Sequence, residues 1–197
     1  MLTGEYAVLD GAMSLALPTS RGQRLEVSNI DEKVFHWKSF DVEGKFWLEG
    51  IWDVTLQEWK FISDKESAKY LEILLKYANA ELGLDLSGFA AKTFLEFPNQ
   101  WGLGTSSTFI SLIAQWWRVD PYYLLKITFG GSGYDIACAN SDRPIIYQLQ
   151  EGQPIVEKVD FRPIFREVLA FVYLGNKQNS REGIAKYRSI QTDKSEL

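Results

Sequence analysis

The sequence is poor in the residues that build disulfides and metal centres. Its 197 residues include a single cysteine, Cys138, and a single histidine, His36. Disulfide frameworks, Cys/His zinc sites and multi-histidine metal centres are therefore excluded. No stretch approaches the roughly 18 apolar residues of a membrane span, and the first residues show no positive segment followed by an apolar one. We expect a cytoplasmic protein in a reducing setting, with no membrane partner.

Positive charge is also scarce. There are 21 Lys and Arg residues against 26 Asp and Glu residues, which leaves a net charge of −5. Such a chain lacks the basic surface that binds a nucleic-acid backbone, so we expect no nucleic-acid partner. Apolar residues, in contrast, make up 46% of the chain and aromatic residues 14%, enough for a bulky core. At roughly 150 residues per domain, the length predicts one full domain and part of another.

The N-terminal part of the chain has the pattern of a β-sheet. Short apolar runs separated by turn residues predict antiparallel strands and hairpins at 2–9, 14–17, 23–27, 34–40, 45–48 and 58–62. Helical spacing of apolar residues then predicts a helix over 67–82. Alternation of buried and exposed positions predicts a strand over 89–97, which ends before Pro98.

The C-terminal part mixes helices and strands. Helices are predicted at 105–117, at 121–127 and from Tyr134, and a hairpin is predicted with strands at 144–149 and 155–159 around a turn at 151–154. The apolar run 168–174 predicts a buried strand, and a helix is expected from about Ser180. One strand and one helix cannot form a core alone, so the end of the chain is interpreted as the beginning of a second domain.

The first candidate site is a glycine loop that joins the strand at 89–97 to a helix. It runs from Gly102 through Leu103, Gly104, Thr105 and Ser106 to Ser107. Glycines allow close approach of the backbone, and the unpaired N–H groups of a helix start favour a phosphate. No lysine follows the glycines, which excludes the Walker-type phosphate loop. An ordinary glycine turn with Thr/Ser capping explains the same residues about equally well.

A second glycine loop precedes Asp135. The segment 130–133 (GGSG) is a tight turn, after which Asp135 stands in the first turn of a helix. There the carboxylate either accepts a proton from a substrate hydroxyl or simply complements the helix dipole. Phosphoryl transfer requires at least a group that binds the phosphate and an acidic residue near the acceptor. The first loop supplies a phosphate-binding helix start, and the second supplies the acid. The two loops together therefore favour phosphoryl transfer.

Two weaker candidates involve the rare residues. His36 could activate Ser106 or Ser107 in a serine hydrolase, but no G-x-S-x-G motif is present. Cys138 lies on the predicted helix after Asp135 and is interpreted as a packed small apolar residue rather than a nucleophile.

Four segments of the chain resemble motifs of the GHMP kinases, small-molecule kinases that include galactokinase, homoserine kinase, mevalonate kinase and phosphomevalonate kinase. They are 2–9 (LTGEYAVL), 98–107 (PNQWGLGTSS), 131–135 (GSGYD) and, more weakly, 178–181 (QNSR). Their order and spacing are similar to those of the family. The Glu5-Tyr6 pair and the loop at 131–135 resemble the mevalonate and phosphomevalonate kinase branch most.

The resemblance implies an α+β fold in two parts. Residues 1–160 would form an ATP-binding domain like domain 2 of ribosomal protein S5, and 161–197 would begin a ferredoxin-like C-terminal domain. ATP and Mg²⁺ are the implied cofactors, with the phosphates over Gly102 to Ser107 and Ser106 as the metal ligand. Asp135 matches the catalytic aspartate, and the implied substrate-binding residues are Glu5, Tyr6, Gly133 and Tyr134.

The chain also departs from the family. The lysine that precedes the first motif would fall before Met1, and most of the C-terminal domain is missing, so we expect a chain shortened at both ends. The helix before the acid loop has no glutamate at 122–126 to serve as a second magnesium ligand. The resulting hypothesis is an ATP-dependent kinase for a hydroxyl or phosphate of a small metabolite. The alternative is a non-catalytic nucleotide or metabolite binder of the same fold.

Overall fold

A computed structural model describes residues 1–170, 172, 173, 175 and 180–189. Within these residues the chain combines helices with two β-sheets, as expected for a mixed α and β fold. The strands are β1 (Ser14–Ala16), β2 (Gln23–Asn29), β3 (Phe35–Phe40), β4 (Phe46–Asp53), β5 (Glu58–Ile62), β6 (Phe89–Leu95), β7 (Ile145–Gln150) and β8 (Gln153–Lys158). The helices are α1 (Lys65–Ala80), α2 (Thr105–Trp117), α3 (Pro121–Ile127), α4 (Tyr134–Ala139) and α5 (Ser180–Ser189).

The larger sheet has the strand order β2-β6-β3-β4-β5. Neighbouring strands are antiparallel except β3 and β6, which run parallel. Along β3, Phe35, Trp37 and Ser39 are buried while the residues between them are partly exposed. This alternation places one face of the sheet against the helices, because successive side chains of a strand point to opposite faces.

The main core lies between this sheet and the helices. Asp64 caps α1 by accepting hydrogen bonds from two backbone N–H groups, and α1 buries Leu71, Leu74, Leu75 and Ala78 at helical spacing. Helix α2 contacts the same core, where Phe109 meets the Trp37 ring edge-on. Both helices were predicted from the sequence within two residues of their observed ends. No helix in the described ranges is long and apolar enough to cross a membrane.

The smaller sheet has the strand order β1-β7-β8. Strands β7 and β8 form the predicted hairpin, with Gln150 opposite Gln153. Its turn is tighter than 151–154, because only Glu151 and Gly152 lie outside the strands, both with positive φ (52° and 77°). Two turn residues with positive φ give the turn a backbone twist that matches the twist of the two flanking strands. A second core cluster joins this sheet to α4 through Val8, Ala16, Ala137, Ile145 and Tyr147.

The strand predicted at 2–9 is wrong. This segment has no strand, and Ala7–Asp10 forms a short 3₁₀ helix that buries Val8. Leu2 does donate a backbone hydrogen bond to Leu15 on β1, but Gly4 with φ 77° then turns the chain, and its carbonyl accepts from Val8. The apolar residues that suggested a strand instead pack a helical turn against the smaller sheet.

The buried strand predicted at 168–174 is also wrong for the residues that are described. Val168, Leu169, Val172 and Tyr173 belong to no strand and are exposed. Phe171 and Leu174 lie outside the described residues, as do Gln178 and Asn179 of the fourth motif. A strand needs a neighbour to pair its backbone groups, and the segment finds none among the described strands. The helix expected from about Ser180 is confirmed as α5.

Gly50 on β4 leads to a stability prediction. A Cβ atom there would lie 2.6 Å from the Trp59 ring and 2.7 Å from Cδ1 of Ile62. We expect Gly50→Ala to destabilise the fold by about 1–3 kcal/mol, because added methyl groups strain a packed core. Thermal unfolding followed by circular dichroism measures the loss. Gly22→Ala is the control, since its nearest neighbour would lie 3.9 Å away. Equal stability of both variants would contradict the tight packing.

Candidate active site

The loop between β6 and α2 leaves a helix start without a side-chain cap. Gly102 and Gly104 both adopt left-handed backbone conformations, with φ 69° and 75°. Gly104 is the N-cap of α2, and among the described residues no side chain accepts a hydrogen bond from the first helical turn. The N–H groups of that turn therefore remain free for a ligand with negative charge. The geometry supports a phosphate-binding loop more than an ordinary capped turn, which would have used a Thr or Ser oxygen.

The three hydroxyls of this loop differ in their surroundings. Thr105 donates its hydroxyl hydrogen bond to Oδ1 of Asn99 (3.0 Å), so it stabilises the loop. Ser107 is buried, Ser106 is half-buried, and in the described part of the chain neither hydroxyl has a hydrogen-bond partner. Ser106 is therefore the hydroxyl that remains available to a ligand from outside the chain.

The second glycine loop is held in place by the smaller sheet. Gly130, Gly131 and Gly133 have positive φ, and the buried Tyr147 donates its hydroxyl hydrogen bond to the carbonyl of Ser132. A side chain at Gly133 would overlap the Tyr122 ring, with a distance of 2.8 Å from Cβ to Cδ1. Glycine is therefore required there both by its φ of 82° and by the close approach of Tyr122.

The two glycine loops meet. A Cβ atom built on Gly104 would lie 3.4 Å from Cγ and 3.5 Å from Oδ1 of Asp135. The start of α2 is thus in near contact with the carboxylate in the first turn of α4. This is the juxtaposition that the sequence hypothesis requires, and no local pattern of residues could have placed it.

Polar contacts along α2 hold this arrangement. Near the end of α4, Oδ1 of Asn140 accepts hydrogen bonds from Ser111 (3.1 Å) and Gln115 (3.0 Å) of α2. At the other end, the Thr108 hydroxyl donates to Oε1 of Gln23 on β2 (3.0 Å). These residues were not identified from the sequence. Their signal was the spacing of three polar residues, 108, 111 and 115, along one face of an otherwise apolar helix.

The carboxylate of Asp135 lies in an unusual electrostatic environment. Burial raises the pKa of Asp135. The N-terminal ammonium and a hydrogen bond from Tyr134 oppose this shift in part, and the negative charge of Glu5 adds to it. Burial also raises the pKa of Tyr134, with the charge of Asp135 as the next cause. A carboxylate with a raised pKa is a better proton acceptor than a free one at neutral pH.

Cys138 follows Asp135 on the same helix. Burial, together with the charge of Asp135, raises the pKa of the Cys138 thiol to about 11. The thiol is therefore protonated at neutral pH, whereas a nucleophilic cysteine needs a lowered pKa. This agrees with the interpretation of Cys138 as a small packed residue.

The N-terminal motif contributes one residue near the carboxylate and one farther away. Glu5 is close enough to influence the pKa of both Asp135 and Tyr134. Tyr6 instead stacks on Tyr187 of α5 with ring centroids 5.8 Å apart, and its hydroxyl lies against Gly183. Tyr6 thus connects the N-terminal motif to α5.

A cavity of about 640 Å³ opens beside the meeting point of the two loops. Of the predicted site residues, Gly102, Leu103, Gly104, Tyr134 and Asp135 line it. The lining does not include Thr105, Ser106, Ser107, Gly133, Glu5 or Tyr6. The volume is typical of a pocket for a small metabolite or cofactor.

The donors around Asp135 suit magnesium bound through a nucleotide. In the described ranges, no group of three or more His, Cys, Asp and Glu residues could hold a metal ion alone. Mg²⁺ is usually held by one or two carboxylates together with substrate phosphates and water. Asp135 and Glu5 are two neighbouring carboxylates, and the Ser106 hydroxyl lies two residues after Gly104, which approaches Asp135. This donor set fits the pattern without a glutamate on α3.

The serine hydrolase alternative is not supported. His36 pairs with Ala90 in the parallel register of β3 and β6, and its side chain lies on the sheet face opposite the buried Trp37, which contacts α2. Strand β6 continues from Ala90 to Leu95, roughly 16 Å, before the loop with Ser106 begins. Nε2 of His36 lies 3.3 Å from Oε2 of Glu32. His36 cannot reach Ser106 or Ser107 in this fold.

Comparison with known proteins gives structural neighbours only. No protein-family profile matches the chain, and no curated protein sequence matches it either. The mevalonate kinase of Methanococcus jannaschii matches with a TM-score of 0.60, 14% identity and coverage of 95% of this chain and 63% of that one. A D-glycero-D-manno-heptose 1-phosphate kinase of Bacteroides thetaiotaomicron matches with a TM-score of 0.59 and 15% identity. The match covers 82% of this chain and 56% of that kinase.

A third solved structure, the L. major mevalonate kinase in complex with R-mevalonate, has a TM-score of 0.53 and 18% identity and covers 82% of this chain. The chain spans 63% of the length of the M. jannaschii mevalonate kinase, 56% of the heptose 1-phosphate kinase and 50% of the L. major mevalonate kinase. The neighbours have the fold of the GHMP kinases, and this chain shares that fold.

Proposed function

We propose that this chain is the ATP-binding part of a GHMP-type kinase. The reaction transfers the γ-phosphoryl group of ATP to a hydroxyl of a small metabolite, or alternatively to a phosphate. The observation that carries the proposal is the near contact of Asp135 with Gly104 at the uncapped start of α2. The shared fold with three small-molecule kinases supports it.

In this proposal the first glycine loop holds the nucleotide. The free N–H groups after Gly104 would bind the phosphates, and the Ser106 hydroxyl would hold Mg²⁺. Bound Mg²⁺ would neutralise the charge that develops on the phosphates during transfer. Leu103 and the two glycines of the loop form the wall along which the phosphates lie, and Ser107 completes the first turn.

Asp135 acts on the acceptor. Its carboxylate orients the acceptor hydroxyl and accepts its proton as the oxygen forms a bond to the γ-phosphorus; the bond from that phosphorus to the β-bridging oxygen breaks, and ADP leaves. Tyr134 and Glu5 are the proposed acceptor-binding residues beside this carboxylate. Tyr6, the other residue of the pair, packs on Tyr187 of α5 and would contact the acceptor only from that side. Gly133 contributes its backbone, because no side chain fits beside Tyr122.

For the whole protein we propose an S5-like domain over 1–160 and a ferredoxin-like domain that begins at 161–197. Mevalonate or phosphomevalonate is the preferred acceptor. The support is the resemblance of the Glu5-Tyr6 pair and the loop at 131–135 to that branch, together with two mevalonate kinases among the structural neighbours.

The assay measures ADP release by the complete natural protein with Mg²⁺-ATP and, in turn, mevalonate, phosphomevalonate, homoserine and galactose. We expect acceptor-dependent ADP release with one of the first two, at a kcat of roughly 1–100 s⁻¹. ATP binding without release of ADP with any acceptor would favour a non-catalytic binder. Failure to bind ATP at all would contradict the proposal.

A further inference from the structure

The two glycine loops are carried by different β-sheets. The phosphate loop follows β6 of the larger sheet. The loop that joins β1 to β2, from which Arg21 lines the cavity, is attached to the end of the same strand, because the backbone N–H of Gly22 donates to Oε2 of Glu96 (2.9 Å). The acid loop is instead held by Tyr147 of the smaller sheet. The position of Asp135 relative to the phosphate loop therefore depends on how α4 packs against α2.

Helices α2 and α4 run in the same direction and meet at both ends of α4. At the start, a Cβ atom on Gly104 would lie 3.4 Å from Cγ of Asp135. The second contact lies roughly 7–11 Å further along the two helices. There, Oδ1 of Asn140 accepts hydrogen bonds from the Ser111 hydroxyl (3.1 Å) and the Gln115 side-chain amide (3.0 Å). These two points together define the direction of α4.

Asn140 connects the end of α4 to its own last turn and to α2. It is the C-cap residue of α4, and its Nδ2 donates to the carbonyl of Ile136 (2.9 Å), which leaves Oδ1 for the donors of α2. The Ser111 hydroxyl that reaches Oδ1 belongs to a buried residue. Because α4 has only six residues, it has few hydrogen bonds of its own to hold its direction. The contact at Asn140 therefore supplements a weak helix.

Asn140 itself stands behind the cavity wall. The described lining of the cavity includes Ser111 and Gln115 but not Asn140. A ligand in the cavity would thus meet the two donors on α2 without touching the residue that accepts from them. Any effect of Asn140 on the reaction has to pass through the position of α4.

We propose that Asn140 is a positioning residue for phosphoryl transfer: its hydrogen bonds to α2 fix the direction of α4 and so the place of Asp135 beside the phosphate loop. A short helix held only at its start can pivot. Transfer needs the acceptor oxygen in line with the γ-phosphorus while the carboxylate holds its proton, and a displacement of about 1 Å can lower the rate about 100-fold. This inference rests on the proposed kinase function.

Asn140→Leu in the complete natural protein tests the proposal, with Mg²⁺-ATP and with mevalonate and phosphomevalonate as acceptor probes. We expect kcat to fall about 10- to 100-fold, because the leucine has a similar size but accepts no hydrogen bond. The KM of ATP and of the acceptor should stay within about twofold, since no binding group is removed. Asn140→Asp keeps an accepting oxygen for α2 and should recover most of the rate.

Gly50→Ala is the control for a loss of stability alone. It strains the core at β4, away from the cavity, and should leave kcat unchanged. Ser111→Ala is a second variant of the same contact, which removes the donor from α2 and leaves no buried hydroxyl without a partner. It should also lower kcat. The double variant with Asn140→Leu should be no slower than Asn140→Leu alone, because both changes remove one interaction.

A titration of the Asp135 carboxyl carbon by NMR separates this inference from the kinase proposal. Burial raises the pKa of Asp135, so a pivoted α4 that admits water should lower that pKa towards 3.8 in Asn140→Leu but not in Gly50→Ala. The other titratable and charged groups that face the carboxylate are the same in all variants: Glu5, Tyr134, Cys138 and the N-terminal ammonium.

If the unchanged protein turns over no acceptor, the kinase proposal fails and the titration alone decides the role of Asn140. The inference is overturned if Asn140→Leu keeps the rate and the Asp135 pKa of the unchanged protein. It is also overturned if Asn140→Asp is as slow as Asn140→Leu, or if a KM rises while kcat stays the same, which would indicate a binding role instead.

Discussion

Asp135→Asn is expected to lower kcat about 10²- to 10⁴-fold while ATP still binds. The reason is that the amide keeps the shape of the carboxyl group but cannot accept the proton of the acceptor hydroxyl. ATP affinity should be unchanged or higher, since a negative charge near the γ-phosphate is removed. Steady-state ADP release and calorimetric titration of ATP measure the two effects on the complete protein. Asp160→Asn, which alters an exposed ion pair with Arg162, is the control.

The same variant has a stability signature. Burial raises the pKa of Asp135 above its ordinary value of 3.8, so the ionised form destabilises the folded state. The penalty is absent below that value and grows as the pH rises through the raised pKa. Asp135→Asn should therefore raise the Tm near pH 7, by about 2–4 °C per kcal/mol relieved in a protein of this size, and the gain should vanish near pH 3. An unchanged rate with a raised Tm would show a buried carboxylate without a catalytic role.

Gly104→Val is expected to weaken ATP binding at least about 100-fold, a loss of about 2.7 kcal/mol or more. Two effects combine. A β-branched residue is strained at φ 75°, and its side chain would fill the space between the loop and Asp135, where its Cβ would lie 3.5 Å from Oδ1. The proposed phosphate position is directly beside that space, along the loop N–H groups. Titration with ATP measures the affinity, and circular dichroism shows whether the variant is folded.

Gly44→Val separates strain from occupation of the site. Gly44 lies in the turn between β3 and β4 with φ 78°, and a Cβ atom there would meet nothing within 4 Å. Its backbone strain is therefore similar, but it is remote from the cavity. We expect a comparable loss of stability with full ATP affinity. Retained ATP affinity in a folded Gly104→Val protein would exclude the glycine loop as the phosphate site.

Local patterns predicted most of the elements because they depend on local physics. The apolar spacing of Leu71, Leu74 and Leu75 predicted α1, and alternation along 89–97 predicted β6. Apolar content without pairing information gave wrong predictions at 2–9 and at the described residues of 168–174, where the apolar residues form no strand. The parallel register of β3 with β6 also had no local signal, since it joins strands separated by two others and a helix.

Part of the candidate site could likewise be predicted from local sequence patterns, and part could not. The glycine loops at 102–107 and 130–133 and the acid after the second loop were visible in the sequence, because positive φ and free helix N–H groups are requirements of a few adjacent residues. Arg21 was missed because a single arginine has no pattern that distinguishes a cavity wall from a solvated surface. The polar face of α2 was missed although residues 108, 111 and 115 are spaced along one side of the helix.

The amino-acid sequence by itself determined which residues could bind a phosphate and which could accept a proton, since those capacities belong to chemical groups and to short backbone segments. Only the tertiary structure decided that Gly104 and Asp135 face each other and that Arg21 borders the same cavity. Those distances follow from the packing of α2 on α4 and from the attachment of Gly22 to Glu96, which bring together residues far apart along the chain. Such contacts are properties of the whole packed core, and no single segment encodes them.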